Sequence, residues 1–263
     1  MQAATDTTDG YVTFDGKRLF ARLHTVPGAA DKPTIVFLHE ALGSVAQWRD
    51  FPSAIAEMTG FNTMAFDRLG HGMSDGSLKA KDSTFLHHEA YDVLPVVLEQ
   101  FQIRDPLLWG HSDGGSIALI YASRFPAKAI VSEAAHVFVE PVTLDGIRSA
   151  ETRKEFLIDR LIRYHGGKTE KLWSNWADTW LDASFANWNI EGLLSDVKCP
   201  ALIIQGEDDE YGTAEQVVRI ANGIGDKAEV LIAPNCGHIP HREARDTVAE
   251  AAVQFLKKLC LDP

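Results

Sequence analysis

The stretch Leu107-Leu108-Trp109-Gly110-His111-Ser112-Asp113-Gly114-Gly115-Ser116 constrains the fold more than any other part of the chain. It reads as a short buried strand that stops at a Gly-x-Ser-x-Gly turn and resumes as a helix at Ser116-Ile117-Ala118. Glycines on both sides of Ser112 permit a turn tight enough to force its backbone into a strained conformation. Such a turn lifts the hydroxyl above the strand end, within reach of a bound carbonyl. The pattern alone also arises by chance. Its place between an apolar strand and an Ala/Ile helix gives it weight.

The rest of the chain supplies matching strands. Tyr11–Phe14 and Leu19–Val26 read as an opening hairpin around Asp15-Gly16. Thr34–Leu38 is a continuous apolar run, as expected of a strand covered on both faces. Thr63–Phe66, Pro106–Trp109, Ala129–Ser132, Ala201–Gln205 and Glu229–Ile232 follow. Helical periodicity fits between them in Trp48–Met58, Phe85–Phe101, Ser116–Arg124, Ala214–Asn222 and Asp246–Leu259, with Pro95 expected to kink or break the second. This alternation predicts an α/β fold, a mostly parallel eight-stranded sheet with helices on both faces. Val139 to Val197 departs from the rhythm. It is helical throughout and holds Trp173, Trp176, Trp180 and Trp188. It is expected to lie over the carboxyl edge of the sheet, where open α/β sheets bind ligands. The core is then 1–138 and 198–263, and 139–197 a helical cap.

Composition narrows the partners. A chain of 263 residues with 45% hydrophobic content can bury a full core. A formal net charge of −12 argues against nucleic acid or an anionic membrane face, since both need a basic footprint. Cys199, Cys236 and Cys260 are odd in number and scattered, so no disulfide framework is expected and a reducing compartment fits. The first ten residues lack the basic and apolar regions of a signal peptide, and no apolar run approaches the ~20 residues of a membrane span. A cytoplasmic location is the expectation. Oligomeric state is not encoded in any motif.

A serine needs a base to take its proton and a third group to orient that base. The acidic turn Gly206-Glu207-Asp208-Asp209-Glu210 follows one strand, and Ala233-Pro234-Asn235-Cys236-Gly237-His238 follows another. Serine, acid, histidine is the chain order expected of this kind of turn. Asp208, Asp209 and, at the end of a different strand, Glu133 are the candidate acids.

Together Phe37-Leu38-His39-Glu40-Ala41-Leu42-Gly43, Asp67-Arg68-Leu69-Gly70-His71-Gly72-Met73-Ser74, Gly110–Gly114, Gly206–Asp209 and Gly237-His238 resemble the α/β-hydrolase family over nearly the whole chain. The resemblance implies Ser112 as nucleophile, His238 as general base and Asp209, three residues after the glycine, as orienting acid. It implies an oxyanion hole from the backbone N–H groups of Ala41 and Asp113, each donor of this kind worth roughly 3 kcal/mol of barrier. Glu40 stands where the family usually has glycine. A carboxylate beside a developing negative charge is unfavourable, so its side chain is expected to turn away into a hydrogen-bond network.

The other histidines divide. His39 and His71 read as structural, His111 points away from the nucleophile, and His136 faces the crevice as a substrate-pocket candidate. Trp173, Trp176 and Trp180 recur at helical spacing, so some anchor the insertion and some wall an apolar pocket. His88-Glu89-Ala90-Tyr91-Asp92 lacks the second histidine of a zinc helix. Cys236, His238 and His241 lack a second ligand pair nearby. Gly70-x-Gly72 lacks the third glycine of a dinucleotide loop. No metal and no cofactor are expected. The reading is a serine hydrolase of a small ester, thioester or lactone, apolar or aromatic in character. The alternatives are a carbon–carbon bond hydrolase of a diketone ring-cleavage product and a non-catalytic small-ligand receptor on the same scaffold.

Overall fold

The computed structural model describes residues 5–29, 32–76 and 82–259. Cys260 and residues 1–4 of the opening stretch lie outside them. The chain begins with β1 (Asp6–Phe14) and β2 (Lys17–Thr25), an antiparallel hairpin closed by Asp15 and Gly16, both at positive φ. Two such residues give a turn whose twist matches that of the flanking strands. There follow β3 (Thr34–Leu38), a 3₁₀ turn at Val45–Trp48, α1 (Phe51–Thr59) and β4 (Asn62–Phe66). Next come α2 (Phe85–His88), a π turn at Glu89–Val93, α3 (Leu94–Gln100), β5 (Leu107–His111), α4 (Asp113–Ala122) and β6 (Ala129–Glu133). An insertion of α5 (Pro141–Glu151), α6 (Lys154–His165), α7 (Thr169–Leu181) and a 3₁₀ turn at Glu191–Asp196 precedes β7 (Ala201–Gly206). The chain finishes with α8 (Ala214–Ile224), β8 (Ala228–Ala233), α9 (Pro240–Glu243) and α10 (Arg245–Lys258).

The eight strands form one sheet in the order β1-β2-β4-β3-β5-β6-β7-β8. Only the β1–β2 and β2–β4 pairs are antiparallel; from β4 to β8 every pair is parallel. Side-chain alternation explains the continuous apolar runs. Ile35, Phe37, Leu107, Trp109, Val131, Leu202 and Ile204 pack with α1 and α10 on one face. Val36, Leu38, Leu108, Ile130 and Ile203 pack with α3, α4, α8 and the insertion on the other. Each fully buried Phe, Leu or Ile contributes about 1.5–3 kcal/mol. Cys199 and Cys236 are free thiols, and burial pushes both up to about 11.

Two sequence expectations need correction, and one expected break is found. The helix expected over Trp48–Met58 is interrupted, because Arg49 adopts φ 56 and ψ −126 between the 3₁₀ turn and α1. The break expected at Pro95 within Phe85–Phe101 is present as the π turn at Glu89–Val93, two residues before the proline, whose ring and missing N–H disfavour a regular turn there. The insertion is not purely helical, since Phe138 bridges Asn189 and closes its base.

The insertion is tied to the sheet by polar locks. Lys168 Nζ donates to the carbonyls of His71 (3.2 Å) and Gly72 (2.7 Å). His165 accepts from the Gly72 N–H at 2.9 Å and donates to the Leu42 carbonyl at 3.0 Å. At the other end the Glu140 carboxylate accepts from the Thr213 N–H, the Thr213 hydroxyl and Gln216 Nε2.

Two glycines permit the β5–α4 turn by close approach. A Cβ on Gly110 would stand 2.1 Å from the Gly114 carbonyl oxygen, and one on Gly114 would stand 1.9 Å from the Leu38 carbonyl oxygen. Gly114→Ala is therefore expected to lose at least about 3 kcal/mol of unfolding free energy, measured by urea titration. Gly192→Ala, where an added Cβ meets nothing within 4 Å, should stay within about 0.5 kcal/mol of the parent.

Candidate active site

The segments after β5, β7 and β8 supply Ser112, Asp209 and His238. Ser112 follows β5 and caps α4 at φ 54 and ψ −117, a left-handed conformation foreign to non-glycine residues. The conformation is held by the Ser112 N–H donating to the Glu133 carbonyl (2.8 Å) and by the Ser112 carbonyl accepting from the Ser116 N–H (3.1 Å). His238 comes from the loop after β8 and Asp209 from the turn after β7.

The structure brings these three together. The Ser112 hydroxyl lies 3.0 Å from His238 Nε2, and His238 Nδ1 lies 2.9 Å from each carboxylate oxygen of Asp209. A carboxylate only accepts, so the proton sits on Nδ1 and Nε2 is left to accept from the serine. Asp209 also accepts from Gln205 Nε2 (2.6 Å) and from the N–H groups of Tyr211 (2.8 Å) and Gly212 (3.2 Å). Burial opposes its charge, but the hydrogen bond and charge of His238 and the Tyr211 N–H hold its carboxyl below the usual range. The alternative acids are elsewhere. Asp208 is exposed. Glu133 is buried and accepts from His241 Nδ1 (2.8 Å), the His241 N–H (3.2 Å) and the Trp109 indole.

The Asp113 and Ala41 amides flank Ser112 from two loops, and neither has an acceptor among the described residues. Both loops are fixed by one side chain. The buried Arg68 guanidinium lies 3.3 Å from the Asp113 carboxylate and donates to the Glu40 carbonyl at 2.8 Å. His39 Nδ1 donates to the same carbonyl, while His71 Nε2 donates to the Ala41 carbonyl at 3.1 Å. His39 and His71 are thus engaged with backbone, as their sequence positions suggested.

Glu40 does turn into a network. Its carboxylate lies 3.5 Å from His111 Nδ1 and 3.5 Å from Gln47 Nε2, over Gly43, where a Cβ would not fit. Burial disfavours the charge on both groups. Their attraction wins, so Glu40 is held well below the carboxylate range and His111 is raised above the usual imidazole one. His111 Nε2 donates to the His238 carbonyl at 2.7 Å, fastening the histidine loop to β5.

A cavity of about 420 Å³ opens above Ser112. Glu40, Ala41, Ser112, Asp113, His136 and His238 line its floor, and Trp173, Trp176 and Trp180 of α7 line its wall. His136 lies 6.0 Å from His238 and 5.3 Å from Trp180, between ring centroids. Burial and the nearby His238 push its imidazole down to about 4. Trp173 also ties α7 to α5 within the insertion, donating to Glu151, and Trp188 packs against Trp180 and Phe185 away from the cavity. Sequence reasoning missed Arg68, although it lies inside the Asp67–Ser74 motif, and missed Gln205, which no spacing rule marks. His88 forms an exposed ion pair with Asp92, and His241 is occupied by Glu133.

A sequence model of the alpha/beta hydrolase family matches residues 35–251. The chain is 26% identical to the bifunctional esterase/perhydrolase DCH of Acinetobacter calcoaceticus, over 94% of this chain and 99% of that protein. It is 22% identical to the 2-hydroxy-6-oxo-6-phenylhexa-2,4-dienoate hydrolase of Comamonas testosteroni, over 88% of this chain and 90% of that one. Among solved structures, the enol-lactonase from Burkholderia xenovorans superposes with a TM-score of 0.75 at 18% identity, covering 94% of this chain and 100% of that chain. At that identity the likeness is one of fold.

Two outcomes follow from the electrostatics. Arg68→Met leaves Asp113 buried and uncompensated, which should cost about 3–5 kcal/mol in urea unfolding; adding Asp113→Leu should recover at least about half of it. His136 refuses a proton when folded that the unfolded chain accepts between about pH 4 and pH 6.5. Its contribution to stability is therefore complete above that window and falls as pH falls through it. His136→Gln should shrink the drop in unfolding free energy between about pH 7 and about pH 4.5 by on the order of 2 kcal/mol.

Proposed function

This chain belongs to the alpha/beta hydrolase family, and from that membership we propose a serine hydrolase acting on a small carboxylic ester, thioester or lactone. The observation that carries the reading is the unbroken line from the Ser112 hydroxyl through His238 to Asp209, at 3.0 and 2.9 Å. Ser112 Oγ attacks the carbonyl carbon as His238 Nε2 takes its proton. The carbonyl oxygen becomes an oxyanion that the Ala41 and Asp113 amides stabilise. Collapse breaks the bond to the leaving group, which receives the proton from His238 and departs, leaving an acyl-enzyme. Water then attacks with His238 again as base, and the acid and free Ser112 are released. Asp209 keeps its charge throughout and orients the imidazole.

Residues 139–197 act in this reading as a cap that closes the cavity and whose tryptophans receive the apolar part of the substrate. His136 and Trp173, Trp176 and Trp180 are the proposed substrate contacts. The relative from Comamonas testosteroni supports a second reading, hydrolysis of a carbon–carbon bond next to a ketone by the same three side chains.

Ser112→Ala should lower kcat/KM for a short-chain aryl ester by at least about 10³-fold, and Asp209→Asn by about 10⁴-fold. A fluorophosphonate should label the parent once, at Ser112. Ester turnover that survives unchanged in Ser112→Ala would remove the assignment. Turnover of a vinylogous diketone with esters barely touched would favour the second reading.

A further inference from the structure

The cavity above Ser112 has two chemically different parts. Trp173, Trp176, Trp180, Ile147 and Leu157 give it apolar walls, whereas Arg49, Arg160, Arg163 and Arg242 line the same space. These arginines come from three separate places: the residue after the Val45–Trp48 turn, the exposed side of α6, and α9 just beyond His238. Arg160 and Arg163 stand three apart on α6 and therefore share a face. All four are exposed, so they mark the rim and not the floor.

Their charges are not matched by carboxylates, although Arg160 lies over the Phe156 ring and Arg163 over the Tyr164 ring. Among the described residues none of the four has a carboxylate within 4.0 Å. Arg18, Arg22, Arg68, Arg148, Arg219 and Arg245 all have one; Arg104, Arg124 and Arg153 also lack one but do not line the cavity. The carboxylates on the cavity lining are Glu40, already facing His111, Asp113, already paired with Arg68, and Glu210. The chain as a whole carries a formal charge of −12. Four guanidinium groups gathered at one opening thus invert the local sign against the global one, and a low-dielectric cleft focuses such a field on an incoming anion.

Arg49 adds a separate observation. Its φ 56 and ψ −126 nearly repeat the φ 54 and ψ −117 of Ser112. A non-glycine residue there costs about 1–3 kcal/mol and persists where the surroundings over-determine it, commonly at ligand clamps.

We infer that the substrate is anionic: an acyl compound whose reacting carbonyl reaches Ser112 past an apolar stem while a charged group stays at the arginine rim. Planar guanidinium forks match carboxylate and phosphate alike. The charge therefore belongs either to a carboxylate on the acyl side or to a phosphate on the leaving group. This inference rests on the hydrolase reading above.

The test compares charged and neutral twins. One arm uses aryl half-esters of dicarboxylic acids against their methyl-capped diesters. The other uses acyl thioesters with a terminal phosphate on the thiol against thioesters ending in a hydroxyl. The charged member should have about tenfold higher kcat/KM in at least one arm, carried by KM and shrinking as salt rises. The arm that responds identifies the anion. In Arg160→Gln/Arg163→Gln and in Arg49→Gln/Arg242→Gln the charged-to-neutral ratio should fall at least threefold, with thermal unfolding followed alongside to verify the fold. Equal or better turnover of the neutral twins in both arms, or ratios unmoved by both double variants, overturns the inference and leaves the hydrolase reading standing. Failure to hydrolyse any of the four compounds in a folded, fluorophosphonate-reactive protein also overturns it, whereas absence of fluorophosphonate labelling removes the hydrolase reading itself.

Discussion

One buried guanidinium holds the site together. Arg68, on the turn after β4, pairs with Asp113 at the start of α4 and donates to the carbonyl of Glu40 at the end of the β3 loop. Asp113 and Ala41, the residue after Glu40, both line the cavity above Ser112. Their separation is thus set by one rigid, planar group, with little freedom to relax. A lysine could supply the charge but not two fixed directions of donation. A buried pair of this kind contributes little net stability over an apolar substitute. Its physical yield is geometric: it fixes the loop after β3 against the start of α4.

The same economy runs through the histidine loop and the insertion. His111, immediately before Ser112, holds the carbonyl of His238, and the facing Glu40 carboxylate raises its affinity for a proton. The residue that departs from the family pattern thereby helps to locate the base. The insertion is anchored at His165 and Lys168 on one side and at Glu140 on the other, while α6 and α7 span the cavity between those anchors. An apolar wall from α7 and a cationic rim from α6 meet over Ser112.

The strand–helix alternation and the order of serine, acid and histidine were legible in the sequence, because each depends on residues adjacent along the chain. Asp209 could be placed against Asp208 only through the resemblance; in the structure the turn exposes one and buries the other. The interruption at Arg49 was not legible, since its neighbours Trp48 and Phe51 continue a helical apolar pattern. Nor was the rim. Arg49, Arg160, Arg163 and Arg242 lie in three segments whose approach is decided by how the insertion packs, and no local periodicity encodes that packing. The role of Glu40 was half legible. Repulsion indicated that its side chain turns away, but its partner is His111, far along the chain.

The strain at Ser112 has a consequence for the fold as a whole. The left-handed backbone there is imposed by missing Cβ atoms at Gly110 and Gly114 and by the Glu133 carbonyl, none of which involves the serine side chain. The turn behaves as a socket. It delivers whatever atom follows Cβ at position 112 to one fixed point beside the His238 imidazole. Scaffold and reagent are separable in such a design, so a change of reagent leaves the scaffold intact.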